Sequence, residues 1–130
     1  MILCDTNVLI EFYRGDSTIL GILHEVGVPN LAISHITAGE LFYGARDKRE
    51  LVKIQKHLAL LHQIPLDAEI SARFVTLLEN YALSHKLSVP DALIAATAIC
   101  HEMPLYTLNT KDFQFLPEIR LFQPSRPPSR

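Results

Sequence analysis

Five short apolar runs punctuate this chain, at 2–4, 31–34, 64–66, 105–108 and 119–122. Each is continuous rather than alternating, the pattern of strands buried on both faces of a parallel sheet. Patterns of helical period lie between them. Residues 17–25 carry Ile19, Leu20, Ile22 and Leu23, and residues 47–63 place Leu51, Ile54, Leu58 and Leu61 three and four apart. Asp67 is a good N-cap for a further helix with Ile70, Phe74, Leu77, Leu78 and Tyr81 on one face. Ser88 precedes another that starts near Pro90 and runs to about Glu102. Strands alternating with helices predict an α/β fold, with a parallel sheet and right-handed crossovers.

The helix after Ser88 is slim and apolar around most of its girth, through Ala92, Ala95, Ala96 and Ala98 with Leu93, Ile94 and Ile99. It is therefore expected to lie buried and close against the sheet. A chain of 130 residues fits one domain. Residues 1–123 are expected to form it, and the Pro-rich segment 124–130, PSRPPSR, to be a disordered tail.

In open parallel sheets, function gathers at the C-terminal ends of the strands. Asp5 directly follows the first run, with Thr6 and Asn7 behind it. Glu40 follows the second by a few residues, and Asp112 lies beyond the fourth in Thr107-Leu108-Asn109-Thr110-Lys111-Asp112-Phe113. Asp91 opens the slim helix, where the helix dipole favours an anion. Each has a purely local explanation. Asp5 suits an N-cap, Thr37 and Glu40 have capping-box spacing, and Asn109 and Asp112 are turn residues. Together the four carboxylates converge on one rim. Two like charges 4 Å apart repel by about 4 kcal/mol at an effective dielectric near 20, so stability alone would not assemble them. A divalent cation resolves the conflict, and oxygen-only ligands select hard ions such as Mg²⁺ or Mn²⁺. Such ions lower the pKa of a bound water and polarise a phosphodiester.

These motifs resemble the PIN-domain family and, within it, the VapC-type ribonuclease toxins of bacterial and archaeal toxin–antitoxin pairs. The pieces that carry the resemblance are Leu3-Cys4-Asp5-Thr6-Asn7-Val8-Leu9-Ile10, Ile36-Thr37-Ala38-Gly39-Glu40-Leu41, Pro90-Asp91-Ala92-Leu93-Ile94-Ala95-Ala96-Thr97-Ala98 and the segment from Thr107 to Phe113. They stand in the family's order and cover nearly the whole chain. The resemblance implies a five-stranded parallel sheet of order 3-2-1-4-5 flanked by helices, and Mg²⁺- or Mn²⁺-dependent cleavage of RNA. It implies Asp5, Glu40 and Asp91 as acidic ligands and Asp112 as the more variable fourth. Thr6, Asn7 and Asn109 become polar supports. It further implies a homodimer silenced by a cognate antitoxin over a groove that Ile10, Phe12, Leu41, Phe42 and Tyr43 would suit. Many relatives carry a basic residue between the threonine and the asparagine of the last motif; here it is Leu108.

Other classes fit less well. A haloacid-dehalogenase-type phosphatase needs a second Asp where Asn7 stands, and a receiver domain needs an acidic pair after the first strand and a Lys after the last. A non-catalytic module of the same fold, binding RNA or a partner, is the alternative from another class. The net charge of −2 does not announce a nucleic-acid binder, although Arg14, Arg46, Lys48, Arg49, Lys53 and Lys56 cluster around the groove elements. The six histidines are scattered and are expected to be structural or solvated. Two cysteines inside apolar segments suggest no disulfide framework. No apolar run approaches the roughly 20 residues that span a bilayer, and no basic leader precedes the first strand. A cytoplasmic protein is expected.

Overall fold

The computed structural model describes residues 1–125. Its parallel sheet has the order β3-β2-β1-β4, built from β1 (Ile2–Cys4), β2 (Leu31–Ser34), β3 (His62–Ile64) and β4 (Leu105–Tyr106). Helices α1 (Thr6–Tyr13), α2 (Ser17–Val26), α3 (His35–Tyr43), α4 (Lys48–Leu58), α5 (Ala68–His85) and α6 (Val89–Cys100) complete the chain. Among the described residues, no helix is long and apolar enough to cross a membrane.

The continuous apolar runs are explained by a core on each face of the sheet. Successive strand side chains point to opposite faces. Cys4, Leu31, Ile33 and Tyr106 meet α1, α2, α3 and α4 through Val8, Leu9, Ile22, Leu23, Leu41, Ile54 and Leu58. Leu3, Ala32 and Leu105 meet α5 and α6 through Ile70, Leu77, Ala92, Ile94, Ala95, Ala96 and Ala98. Burial on both faces leaves Leu3, Cys4, Ala32, Ile33 and Leu105 with no exposed surface. The alanines of α6 let that helix lie close to the sheet, as its composition predicts.

Side-chain caps fix where the helices begin. Asp5, Asp16, Asp47, Asp67 and Ser88 each accept a backbone N–H in the first turn of the helix that follows. Each such cap contributes about 1 kcal/mol. The cap of α3 differs from expectation: Ser34, not Thr37, takes that place, accepting from the Ile36 N–H at 3.2 Å. Thr37 lies inside the helix, fully buried.

Three strand expectations are corrected. The third strand is His62–Ile64, not 64–66, pairing His62 with Ala32 and Ile64 with Ser34. It is an edge strand, so exposed His62 and Gln63 fit there, and Pro65 has no N–H with which to continue the ladder. The fourth is two residues long rather than four, because the chain turns at Thr107 toward the rim. The fifth strand contracts to one parallel bridge between Leu105 and Leu121, so the sheet has four strands rather than five. That bridge still lies on the expected edge, with Leu105 N donating to Arg120 O and Phe122 N to Leu105 O, each at 2.8 Å. A two-residue β4 offers its outer neighbour only this register. The helix expected over 47–63 ends at Leu58, since His62 and Gln63 are needed for β3. Most of the expected tail falls on residues 126–130, outside the described residues.

Phe113, with no exposed surface, packs among the α5 and α6 residues and pins the loop that carries Asp112. Phe113→Ala is expected to destabilise the protein by about 3–5 kcal/mol. Tyr43→Ala, at a side chain 95% exposed, should change stability by no more than about 0.5 kcal/mol. Urea unfolding with an unchanged slope checks both.

Candidate active site

Asp5 is the most confined of the four carboxylates. It leaves the end of β1, the strand flanked by β2 and β4, and is only 5% exposed. Its backbone N–H donates to Tyr106 O at 2.8 Å, which ties the rim to β4. Its Oδ1 accepts the Thr6 N–H at 2.7 Å, and its Oδ2 accepts the Thr107 hydroxyl at 2.7 Å. The local capping explanation for Asp5 is thus true, but it accounts for only one of the two oxygens.

Glu40 reaches the same place from α3. Its Oε1 accepts the Thr6 hydroxyl at 2.7 Å, and that hydroxyl also lies 3.0 Å from Thr37 Oγ1. A hydroxyl has one proton, and the shorter, charged partner takes it. Glu40 therefore points toward the start of α1, and the capping-box explanation does not hold for it. Asp91 is half-buried in the first turn of α6, where its N–H donates to Ser88 Oγ at 3.2 Å. Asp112 is exposed in a short 3-10 turn, Thr110–Asp112.

The electrostatics join the four. Burial raises the Asp5 carboxyl above the usual range; hydrogen bonds from Thr107 and Thr6 oppose this, and the charges of Glu40 and Asp112 add to it. Asp91 is pushed up to about 6, first by burial and then by the charges of Asp5, Asp112 and Glu40, with a side-chain hydrogen bond from the Ser88 hydroxyl to the carboxyl opposing. Among the described residues the ion pairs are Arg14 with Glu11, Arg46 with Glu50 and Arg73 with Glu118, and none compensates this cluster.

The donor set suits a hard divalent cation: oxygens only, with an uncompensated negative field. Among the described residues, no three acidic, histidine or cysteine side chains form a ready-made ion cage. Mg²⁺ does not require one, since it keeps several waters and is usually bound through one or two carboxylates. The residues therefore fit such an ion.

Beside Glu40 runs a groove of about 840 Å³, lined by Ile10, Phe12, Tyr13, Arg46, Lys53 and His57 among others. Of the groove residues expected from the sequence, Leu41 is core at 4% exposure, whereas Ile10 is 37% exposed. Arg14 also reaches the groove wall, while Lys48, Arg49 and Lys56 lie on exposed positions of α4. Two histidines make ring contacts, His57 on the groove wall and His85 away from it. His57 stacks on Phe12 and bonds the Tyr13 hydroxyl at 2.8 Å, and His85 stacks on Phe115. Cys4 and Cys100 are free thiols.

Thr37, whose spacing suggests only a helix cap, and Thr107, which no motif marks for a role, also belong to the site. Both are buried hydroxyls, and only the Thr107 position gives a sequence hint, a polar residue ending a buried strand. Of the polar supports, Asn7 donates from Nδ2 to Thr107 Oγ1 at 3.5 Å and accepts the Leu108 N–H at 3.3 Å. Asn109 contributes its backbone N–H to Thr107 Oγ1 at 3.0 Å.

The PIN domain family model matches residues 2–117. Ribonuclease VapC10 of Mycobacterium tuberculosis is 33% identical over 124 residues, covering 92% of this chain and 91% of its own length. Among solved structures, a toxin–antitoxin complex from Klebsiella pneumoniae is similar with a TM-score of 0.78 and 36% identity, covering 92% of this chain and 95% of that one. VapBC2 from Rickettsia felis, bound to a DNA fragment from its promoter, has a TM-score of 0.80 and 27% identity over 94% of this chain and 98% of its own.

The raised Asp91 carboxyl has a measurable consequence. Between its ordinary value of 3.8 and about 6, the folded chain holds a proton that the unfolded chain has released. Stability therefore falls as pH rises through that window, and the whole penalty is present above it. In EDTA, Asp91→Asn should melt a few degrees higher than the parent above pH 6. The gap should close below pH 3.8, and thermal melts across pH check it.

Proposed function

The chain belongs to the PIN domain family, and we propose that it is a Mg²⁺- or Mn²⁺-dependent ribonuclease, the toxin of a toxin–antitoxin pair. The observation that carries this reading is the set of four carboxylates, from β1, α3, α6 and the turn after β4, within electrostatic reach of one another and unpaired with any described cation. The ribonuclease name of the 33%-identical relative supports the substrate class.

Asp5, Glu40 and Asp91 would hold the ion, with Asp112 holding a second ion or steering the attacking water. When bound, a divalent cation supplies Lewis acidity toward the phosphodiester and lowers the pKa of a coordinated water. The chain's own part is to keep the carboxylates ionised and aimed. Thr6 grips Asp5 through its N–H and Glu40 through its hydroxyl, so two elements are set by one residue. The water oxygen forms the new bond to phosphorus as the bond to the 3′ oxygen breaks. That oxygen takes up a proton, leaving 5′-phosphate and 3′-hydroxyl ends. Thr6, Asn7 and Asn109 support the arrangement.

The groove beside Glu40, with Arg14, Arg46 and Lys53 on its walls, suits phosphates and a partner protein. The toxin–antitoxin complexes among similar structures support an antitoxin as that partner. A homodimer, a cytoplasmic location and a domain over 1–123 belong to the same reading. Free thiols at Cys4 and Cys100 suit a reducing compartment. A non-catalytic RNA- or partner-binding module is the second reading.

Purified protein should cut a mixed set of end-labelled RNAs with Mg²⁺ or Mn²⁺ and not with EDTA. Asp91→Asn should abolish cutting while the protein stays folded. Full cutting by folded Asp91→Asn would sink the assignment. No cutting, with thermal stability unmoved by either metal, would favour the binding module.

A further inference from the structure

We infer that the Thr107 hydroxyl is a positioning residue for the metal site: it donates its proton to Asp5 and locks that carboxylate, and the loop leading to Asp112, in one arrangement. The inference rests on the metal-dependent reading above and adds a residue which that reading does not need.

The direction of the hydrogen bond follows from counting. A threonine hydroxyl has one proton and two acceptor lone pairs. The Asn109 N–H donates to Thr107 Oγ1 at 3.0 Å, and Asn7 Nδ2 approaches it at 3.5 Å. The Asn7 amide is held this way round because its oxygen accepts the Leu108 N–H at 3.3 Å. Two donors therefore face the hydroxyl oxygen. The acceptor left for its proton is Asp5 Oδ2, at 2.7 Å.

Three consequences follow. The bond goes to the ionised form of Asp5 and opposes the effect of burial on that carboxyl. The Asp5 carboxylate is held at both oxygens, by Thr6 N–H and by Thr107. A carboxylate has about four acceptor sites, so lone pairs remain for an ion while rotation is restrained. Finally, Asn109 N–H and Asp5 share one hydroxyl oxygen, and the Asp112 N–H donates to Asn109 O at 3.0 Å. The ends of β1 and β4 are thus coupled at the point where each delivers a carboxylate. Thr107 itself is 6% exposed and does not need to touch substrate.

The test compares Thr107→Val, which keeps the shape and removes the proton, with Thr107→Ser, which keeps the proton. Mn²⁺ alone is titrated into each full-length protein by calorimetry, without RNA, and cleavage is then measured as kcat and KM. Thr107→Val should bind Mn²⁺ roughly tenfold more weakly and lose a similar factor in kcat, the size expected for removing a hydrogen-bond partner of a metal ligand. KM for RNA should hold, and Thr107→Ser should restore most of both losses. If the valine variant does not fold, Thr107→Ala removes the same donor without placing a second methyl against the carboxylate. A folded Val or Ala variant that binds Mn²⁺ as the parent does overturns the inference, even if it melts lower, because that is a structural role only. Failure of Ser to restore binding overturns it as well. A parent protein that binds no Mn²⁺ and cuts no RNA overturns the nuclease reading, and this inference falls with it.

Discussion

A carboxylate that is 5% exposed and surrounded by other carboxylates has every reason to give up its charge. Burial alone raises the cost of ionising Asp5, and Glu40 and Asp112 raise it further. Two hydrogen bonds to its oxygens, from Thr6 and Thr107, act in the other direction. The Thr6 donor is simply the next residue in the chain, but the Thr107 donor exists because neighbouring strands end at one level: Asp5 N–H bonds Tyr106 O, so Thr107 arrives beside Asp5. The rest of the fold keeps that alignment.

It does so through the two cores. Strands β1 and β2 are clamped from both faces, and β4 from both faces over its short length. A sheet held this way cannot slip by one residue without turning its apolar side chains to the wrong core. The slim α6 brings Asp91 toward the rim because its alanines permit a close approach to the sheet, and Phe113 does the same for the loop of Asp112. Packing energy on the order of several kcal/mol is thus used to hold like charges together, in a field uncompensated by any described cation.

Much of this was legible in the residues. Continuous apolar runs implied a doubly covered parallel sheet, and the polar residues after those runs marked the rim. Asp5, Asp91 and the slim helix follow from such local signals. Thr37 was misread as a cap because Ser34, ending the strand before it, competes for the same role, and spacing cannot choose between two capping residues three apart. The third strand begins earlier than its apolar run because an edge strand need not be apolar: His62 and Gln63 fall at the end of a helical pattern yet pair with β2. The fifth strand was overestimated because apolar content at 119–122 says nothing of how much partner β4 offers.

The sequence by itself determined the order of elements, the two-faced core and which acidic residues reach the rim, because burial and period are properties of neighbouring residues. Only the tertiary structure decided which hydroxyl meets which carboxylate. Thr6 and Glu40 are 34 residues apart in sequence, and Thr107 and Asp5 are 102. Such a bond depends on strands from distant parts of the chain ending at one height, and no local pattern records that height.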